Sequence, residues 1–352
     1  MGAGNGTLAK NILDYLSVEY PQVYERTQYK IVEISPKLAE LQRARLASHS
    51  CVRIVNKSIF DWDVREPAPC FFLALEVIDN FAHDVVRYDS VTLEPYQGIT
   101  AIDSAGEFHE LYEPVTDPLI LRFLDYRRRA GHVPPAFDSF LTSSPLLRRL
   151  RNSLPFAPNM TLPEYVPTRL LTFLEKLRDN FPLHRLLLSD FSKLPDAVPG
   201  YNAPVVQTRY KETMVPCSTY MVQPGYFDIF FPTSFELLRD MYELLMSNPT
   251  LSASSTTTAG QEAEPTGYRP SPMTTAASSL RLNVDFFSSS PRGRRSPVDG
   301  VMSSSGLDVG QRMSTVMTHK EFLEKYADLE RTTLRSGENP MLDFYQNVKF
   351  LF

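Results

Sequence analysis

The sequence predicts a doubly wound α/β fold built on a mostly parallel sheet. Three observations predict it: a glycine loop that runs straight into a helix, short apolar strands that end in acids, and helices alternating with those strands. The loop is Met1-Gly2-Ala3-Gly4-Asn5-Gly6-Thr7, and Leu8, Ile12, Leu13 and Leu16 come after it at helical spacing. In an α/β protein such a loop follows a strand, and here no residue precedes it that could form one. The first strand of the sheet is therefore expected to be missing, and the chain to be a truncated one.

The remaining elements come in order. Tyr29 to Glu33 (YKIVE) is an apolar strand closed by an acid, and Ser35-Pro36 opens a helix through about Leu46, serine as the N-cap and proline at the first helical position. Cys51 to Val55 (CVRIV) is a third strand, counting the missing one as the first. Cys70 to Leu75 (CFFLAL) is a fourth, nearly all apolar as a strand buried on both faces should be. Glu76, Asp79 and Asn80 stand at its end. Residues 91–182 are rich in proline and helical patches (Leu119 to Arg129, Pro145 to Leu150, Pro163 to Arg178) and read as an inserted helical cap. His184 to Asp190 (HRLLLSD) returns to the sheet. Thr219 to Val222, Asp228 to Phe231 and a helix from Ser234 to Met246 continue the α/β part to residue 247. Residues 248–314 are dominated by Ser, Thr, Pro and Ala, a composition that buries too little apolar surface to offset its ordering entropy, and are expected to be a disordered insertion. A helix from Thr318 to Leu329 and a last strand from Val348 to Phe352 complete the α/β domain over 315–352. The domain thus reads as 1–90, 183–247 and 315–352, interrupted by the cap and by the low-complexity stretch.

Composition narrows the function. A net charge of -5 argues against non-specific nucleic-acid binding, which needs a basic face to release counterions. The one local basic run, Arg127-Arg128-Arg129, has a solvated helix end as its plain reading. Cys51, Cys70 and Cys217 show no CxxC spacing and the six histidines no ligand spacing, so neither a disulfide framework nor a metal is expected. No apolar run is long enough to predict a transmembrane helix.

In a doubly wound sheet, ligands bind outside the carboxyl ends of the strands. The glycine loop, Glu33, and Glu76 with Asp79 all fall there. Glycine lets the backbone approach a nucleoside closely, and a carboxylate at Glu33 offers two oxygens to a pair of ribose hydroxyls. Ser58-Ile59-Phe60-Asp61 comes after the third strand, within reach of an adenine. The plainer alternatives are a turn for the glycines, a solvated strand end for Glu33, a turn or cap for Asp61, and helix N-terminal charge for Glu76 and Asp79. His83 is either a base or a structural ring, and Asp190 a cap for the segment after it. A dinucleotide fingerprint reads GxGxxG. Here the third glycine comes two positions after the second, and Thr7 stands where that fingerprint needs glycine, which disfavours an NAD-dependent oxidoreductase.

The GxGxG spacing resembles motif I of the class I S-adenosylmethionine-dependent methyltransferases. MGAGNGTLAKNILDYL, YKIVEISPKLAELQRARL and CFFLALEVIDNFAHDVVRYD resemble, in order, three blocks of a mitochondrial methyltransferase family that includes a protein-arginine methyltransferase acting as a complex I assembly factor. LLLSDFSKLPDAVPGYNAPVVQTRY and FLEKYADLERTTLRSGENPMLDFYQNVKFLF resemble its later blocks in a fungal branch. The resemblance implies a Rossmann-like sheet, S-adenosylmethionine as cofactor, a protein acceptor on respiratory complex I, and a mitochondrial location. It implies that Gly2, Gly4 and Gly6 line the methionine part of the cofactor, that Glu33 holds its ribose, that Asp61 lies near the adenine, and that Glu76 and Asp79 flank the methyl-transfer site. Two departures stand out. The family carries an acid just before the first glycine, where this chain has Met1, and an NEFFDALP-like stretch where this chain has EVIDNFAHD. A catalytically inactive assembly or binding factor on the same fold is the competing expectation.

Overall fold

The computed structural model describes residues 1–137, 144–195, 197–247 and 313–352. The low-complexity stretch predicted over 248–314 thus lies almost wholly outside the described residues. At its end, the backbone N–H of Ser314 donates to Glu243 Oε1 at 2.7 Å.

Two parallel ladders make the heart of the fold. Strands β1 (Tyr29–Val32) and β2 (Val52–Val55) pair in parallel, with Ile31 opposite Ile54. Strand β3 (Cys70–Leu75) pairs in parallel with β8 (His184–Phe191), with Leu73 opposite Leu187. On the far side of β8 lies the antiparallel β13 (Val348–Leu351), and outside that β12 (Val316–Thr318), giving the order β12-β13-β8-β3. The expected doubly wound α/β sheet is present as these two hydrogen-bonded sets, and among the described residues no strand joins β1 to β3. Met1 lies on the β3 side of that division: its amino group donates to the carbonyl of Leu73 at 2.8 Å.

Local chemistry explains the helices. Helix α1 (Thr7–Glu19) starts directly after Gly6. Helix α2 (Pro36–Arg45) has the predicted start, with Pro36 in its first turn and the hydroxyl of Ser35 accepting from the N–H of Leu38. Ala9 and Leu13 of α1 and Leu46 beyond α2 cover Ile31, making a small apolar cluster beneath β1 and β2. The large core lies under β3 and β8. There the crossover helix over Thr168–Asn180 lays Leu171, Phe173, Leu174 and Leu177 against the sheet, with the Phe173 ring 5.8 Å from Phe72. Each such buried side chain contributes about 1.5–3 kcal/mol through removal from water.

The segment expected to be a helical cap carries strands beside its helices. Strands β4 (Asp84–Tyr88), β5 (Pro95–Ile102), β6 (Phe108–Pro114) and β7 (Glu164–Val166) form an antiparallel sheet in the order β6-β5-β4-β7. The Pro118–Arg129 and Thr168–Asn180 helices both enter the large core, the first through Ile120 and Phe123 and the second through Leu171 and Leu174. Exposure along FHELYEP alternates with the two-residue period of a half-solvated strand, Phe108, Glu110 and Tyr112 on one face and His109, Leu111 and Glu113 on the other. Strands β9 (Val205–Tyr210), β10 (Thr213–Cys217) and β11 (Asp228–Phe230) make a further antiparallel sheet, and Thr219–Val222 is irregular. Arg127, read as part of a solvated helix end, is buried: it meets Glu164 at 2.5 Å and the hydroxyl of Tyr88 at 2.7 Å. Among the described residues no helix is long and apolar enough to cross a membrane.

Candidate functional site

The glycine loop, the end of β1 and the end of β3 converge. Gly2, Gly4 and Gly6 all have φ between 50 and 88°, the left-handed region that only glycine enters without strain. Gly2 also needs its missing side chain for space. A Cβ there would stand 2.3 Å from a Val77 methyl and 2.5 Å from the Leu75 carbonyl oxygen, so the loop backbone rests on the end of β3. A Cβ on Gly4 would meet nothing within 4 Å. The loop closes on itself through the Gly6 N–H, which donates to the Ala3 carbonyl at 2.8 Å.

Glu33, just past β1, is buried, and its carboxylate is held from two sides. One oxygen accepts from the N–H of Ser35 at 2.9 Å; the other accepts from the Gln42 side-chain nitrogen at 3.0 Å. The same Gln42 nitrogen donates to the Gly4 carbonyl at 2.7 Å. Gln42 therefore ties the glycine loop to Glu33. Sequence reading missed it, although a signal was there: a glutamine in the apolar stripe Ala39, Gln42, Leu46 is a polar group on a buried helix face. A carboxylate has about four acceptor positions, so two donors leave Glu33 room for the hydroxyls of a ribose. Open space at Gly4 and spare acceptor capacity at Glu33 fit an adenosylmethionine-type cofactor.

Asp61 behaves differently. It is the exposed last residue of a single turn, Ile59–Asp61, whose start is capped by the Ser58 hydroxyl accepting from Phe60 N–H. Among the described residues its side chain makes no hydrogen bond to the glycine loop or Glu33.

At the end of β3, Glu76 and Asp79 occupy one loop with opposite exposures. Glu76 is exposed and sits at φ 51°, an unusual conformation for a residue with a side chain. Its N–H donates to the Ser189 carbonyl at 2.9 Å. Asp79 is buried, its carboxylate accepts from the Asn80 side chain at 2.6 Å, and burial pushes its pKa up. Asp190, at the end of β8, is fully buried. One of its oxygens accepts from three successive backbone N–H groups, Val77 at 3.0 Å, Ile78 at 2.9 Å and Asp79 at 3.3 Å. The other accepts from Phe191 N–H at 2.8 Å. Burial and the neighbouring Asp79 push Asp190 up to about 7, against the pull of those donors. Asp190 thus caps backwards onto the acid loop of β3 as well as bonding the residue that follows it.

His83 lines an apolar pocket beside this loop together with Ile78, Leu171, Thr233 and Leu238. Its ring stacks on Phe231 at 3.9 Å, its Nδ1 lies 2.8 Å from the Phe81 carbonyl, and burial pulls its pKa down to about 4. The ring is packed against Phe231, and burial disfavours its charged form.

Comparison with known proteins bears on this arrangement. Residues 1–249 match the family described as "Putative S-adenosyl-L-methionine-dependent methyltransferase". A Schizosaccharomyces pombe protein named protein arginine methyltransferase NDUFAF7 homolog, mitochondrial, is 27% identical over 277 residues, covering 70% of this chain and 55% of that protein. The chain thus spans about half the length of the curated relative it matches. Among solved structures, a Burkholderia thailandensis protein crystallised with S-adenosyl-homocysteine aligns at 17% identity and a TM-score of 0.44, covering 68% of this chain and 53% of that one. A native crystal structure from the same organism and superfamily aligns at 17% identity and a TM-score of 0.42, covering 68% and 55%.

Proposed function

The chain belongs to the family of S-adenosyl-L-methionine-dependent methyltransferases that its first 249 residues match, and from that premise we propose that it methylates an arginine side chain of a protein acceptor. The observation that carries the proposal is the clamp of Gln42 between Gly4 and Glu33, with Gly2 resting against the loop that holds Glu76 and Asp79. It unites a nucleoside-shaped binding edge with a pair of acids.

When bound, S-adenosylmethionine supplies a methyl group already activated as a sulfonium, so the protein's work is alignment and handling of one proton. Gly2, Gly4 and Gly6 would lie along the methionine end of the cofactor and Glu33 would accept from its ribose, with Asp61 toward the adenine. The exposed carboxylate of Glu76 would make a charge-assisted contact with the acceptor guanidinium and take up the released proton. Asp79, buried and bonded to Asn80, would shape the loop more than touch the acceptor. The arginine acceptor and a mitochondrial setting follow the name of the S. pombe relative. A respiratory complex I subunit as the acceptor is narrower and rests on the family resemblance.

The test is turnover with radiolabelled S-adenosylmethionine and complex I subunits, reading methylarginine by mass spectrometry in wild type and Glu76→Ala. Label on arginine that is lost in the variant supports the proposal; label that persists at wild-type rate removes Glu76 from the chemistry. One observation favours a second reading, an assembly factor without catalysis: only one of the paired acids faces solvent. Cofactor binding without any methyl transfer would establish it.

A further inference from the structure

The acid loop's own regular structure is a single 3-10 turn, Ile78–Asn80. Between the end of β3 and the start of β4, Val77 to Asn80 make little more than one tight turn, and Glu76 stands at a positive φ. Something outside the loop must fix it. Two sets of contacts do so. The Phe231 N–H beyond β11 donates to the Asp79 carbonyl at 2.9 Å, and the Asp190 carboxylate gathers three consecutive N–H groups from Val77, Ile78 and Asp79.

We infer that Asp190 is the positioning residue of the acid loop: its Oδ2, converging on three backbone N–H groups, sets where Glu76 and Asp79 stand relative to the glycine loop. The chain of contact is continuous. Asp190 fixes Val77, and a Val77 methyl occupies the space that a side chain at Gly2 would need. Ser189, next to Asp190, accepts from the Glu76 N–H, so the end of β8 holds the loop at four successive amides, residues 76 to 79. A residue with no exposed surface touches neither cofactor nor acceptor, and Asp190 acts through the loop alone. An aspartate side chain is short enough to leave room for the turn, and its two oxygens divide the work, one for residues 77–79 and one for Phe191. This inference rests on the methyltransferase reading only for what the positioned loop accomplishes.

The experiment compares wild type, Asp190→Asn and Asp190→Ala by amide hydrogen exchange and by methyl-transfer kinetics. Asn retains a carbonyl oxygen for the three N–H groups and gives up the bond to Phe191; Ala retains neither. In Asp190→Ala, exchange at residues 77–79 is expected to accelerate at least tenfold, while amides of the Thr168–Asn180 helix stay protected. There kcat falls at least tenfold and KM for S-adenosylmethionine changes less than threefold. Asp190→Asn restores protection at 77–79 and brings kcat to within about threefold of wild type. The inference is overturned if Asp190→Ala leaves 77–79 protected, if protection is lost equally across β3, β8 and the crossover helix, or if Asn rescues nothing. Should wild type transfer no methyl group, the proposed function fails, and the exchange data still decide whether Asp190 anchors the loop.

Discussion

Replacing Arg127 by methionine keeps a long flexible stem and deletes only the guanidinium. That group is almost fully buried, with one nitrogen 2.5 Å from Glu164 and another 2.7 Å from the Tyr88 hydroxyl, which itself donates to Glu164 at 3.1 Å. Three elements meet there: the Pro118–Arg129 helix, β4 and β7. Without the guanidinium, Glu164 is left 2% exposed with a tyrosine hydroxyl as its remaining side-chain partner. Stranding one member of a buried pair costs about 3–5 kcal/mol, because the orphaned charge is neither hydrated nor compensated. At roughly 2 °C per kcal/mol for a chain of this size, the melting point should drop by about 6–10 °C. Calorimetry or denaturant unfolding monitored by circular dichroism reads this directly. A triple variant, Arg127→Met with Glu164→Met and Tyr88→Phe, removes all the stranded polar groups together and should recover at least half the loss. If Arg127→Met alone stays within about 1 kcal/mol of wild type, the cluster is not sealed from water and the reasoning fails.

Asp190 gives a pH prediction with a definite sign. Its folded pKa is raised to about 7 from an ordinary 3.8, so between those values the folded chain holds a proton that the unfolded chain has released, and stability falls as pH rises through that window. About three pKa units correspond to on the order of 4 kcal/mol. The group facing it is Asp79; Lys349, its cross-strand partner on β13, is engaged by Glu236. Unfolding free energies from pH 4 to 7 should slope less in Asp190→Asn than in wild type, and parallel curves would contradict the assignment. The glycines separate by a second comparison. Gly2→Ala collides with the Leu75 carbonyl and should lower the melting point of the ligand-free protein. Gly4→Ala has open space around it, so it should cost about 1–2 kcal/mol of left-handed strain yet weaken S-adenosylmethionine binding at least tenfold. Equal cofactor affinity in wild type and Gly4→Ala would move the ligand away from the loop.

The parts of this fold legible in the sequence are those where local chemistry and tertiary need agree. Ser35-Pro36 opens a helix because the hydroxyl and the ring suit a helix start, and the apolar run CFFLAL forms a strand; the expectation that both its faces are buried holds for Phe72 and Ala74 and fails for Phe71, which is exposed because β3 ends its described sheet. The strands of the insertion escape a local reading because polarity does not follow their faces: in β6, Glu110 shares the more buried face with Phe108 and Tyr112, and Leu111 the exposed one, so cross-strand pairing with β5 makes the strand. Arg127 reads as part of a charge run, and only the position of Glu164, 37 residues away, makes it a core residue. At the candidate site the glycines and Glu33 are legible from spacing. Gln42 and Asp190 are not: their roles exist only where α2 crosses the loop and where the end of β8 faces the end of β3.

The most direct test of the whole account is calorimetric titration of S-adenosylmethionine into the wild-type chain and into Glu33→Ala, with folding of both checked by circular dichroism. The account predicts saturable binding by wild type and at least a tenfold loss of affinity in the variant, since hydrogen bonds to a buried carboxylate contribute about 1.5–3 kcal/mol. A folded Glu33→Ala protein that binds as tightly as wild type would contradict it, as would a folded wild-type chain that binds no cofactor.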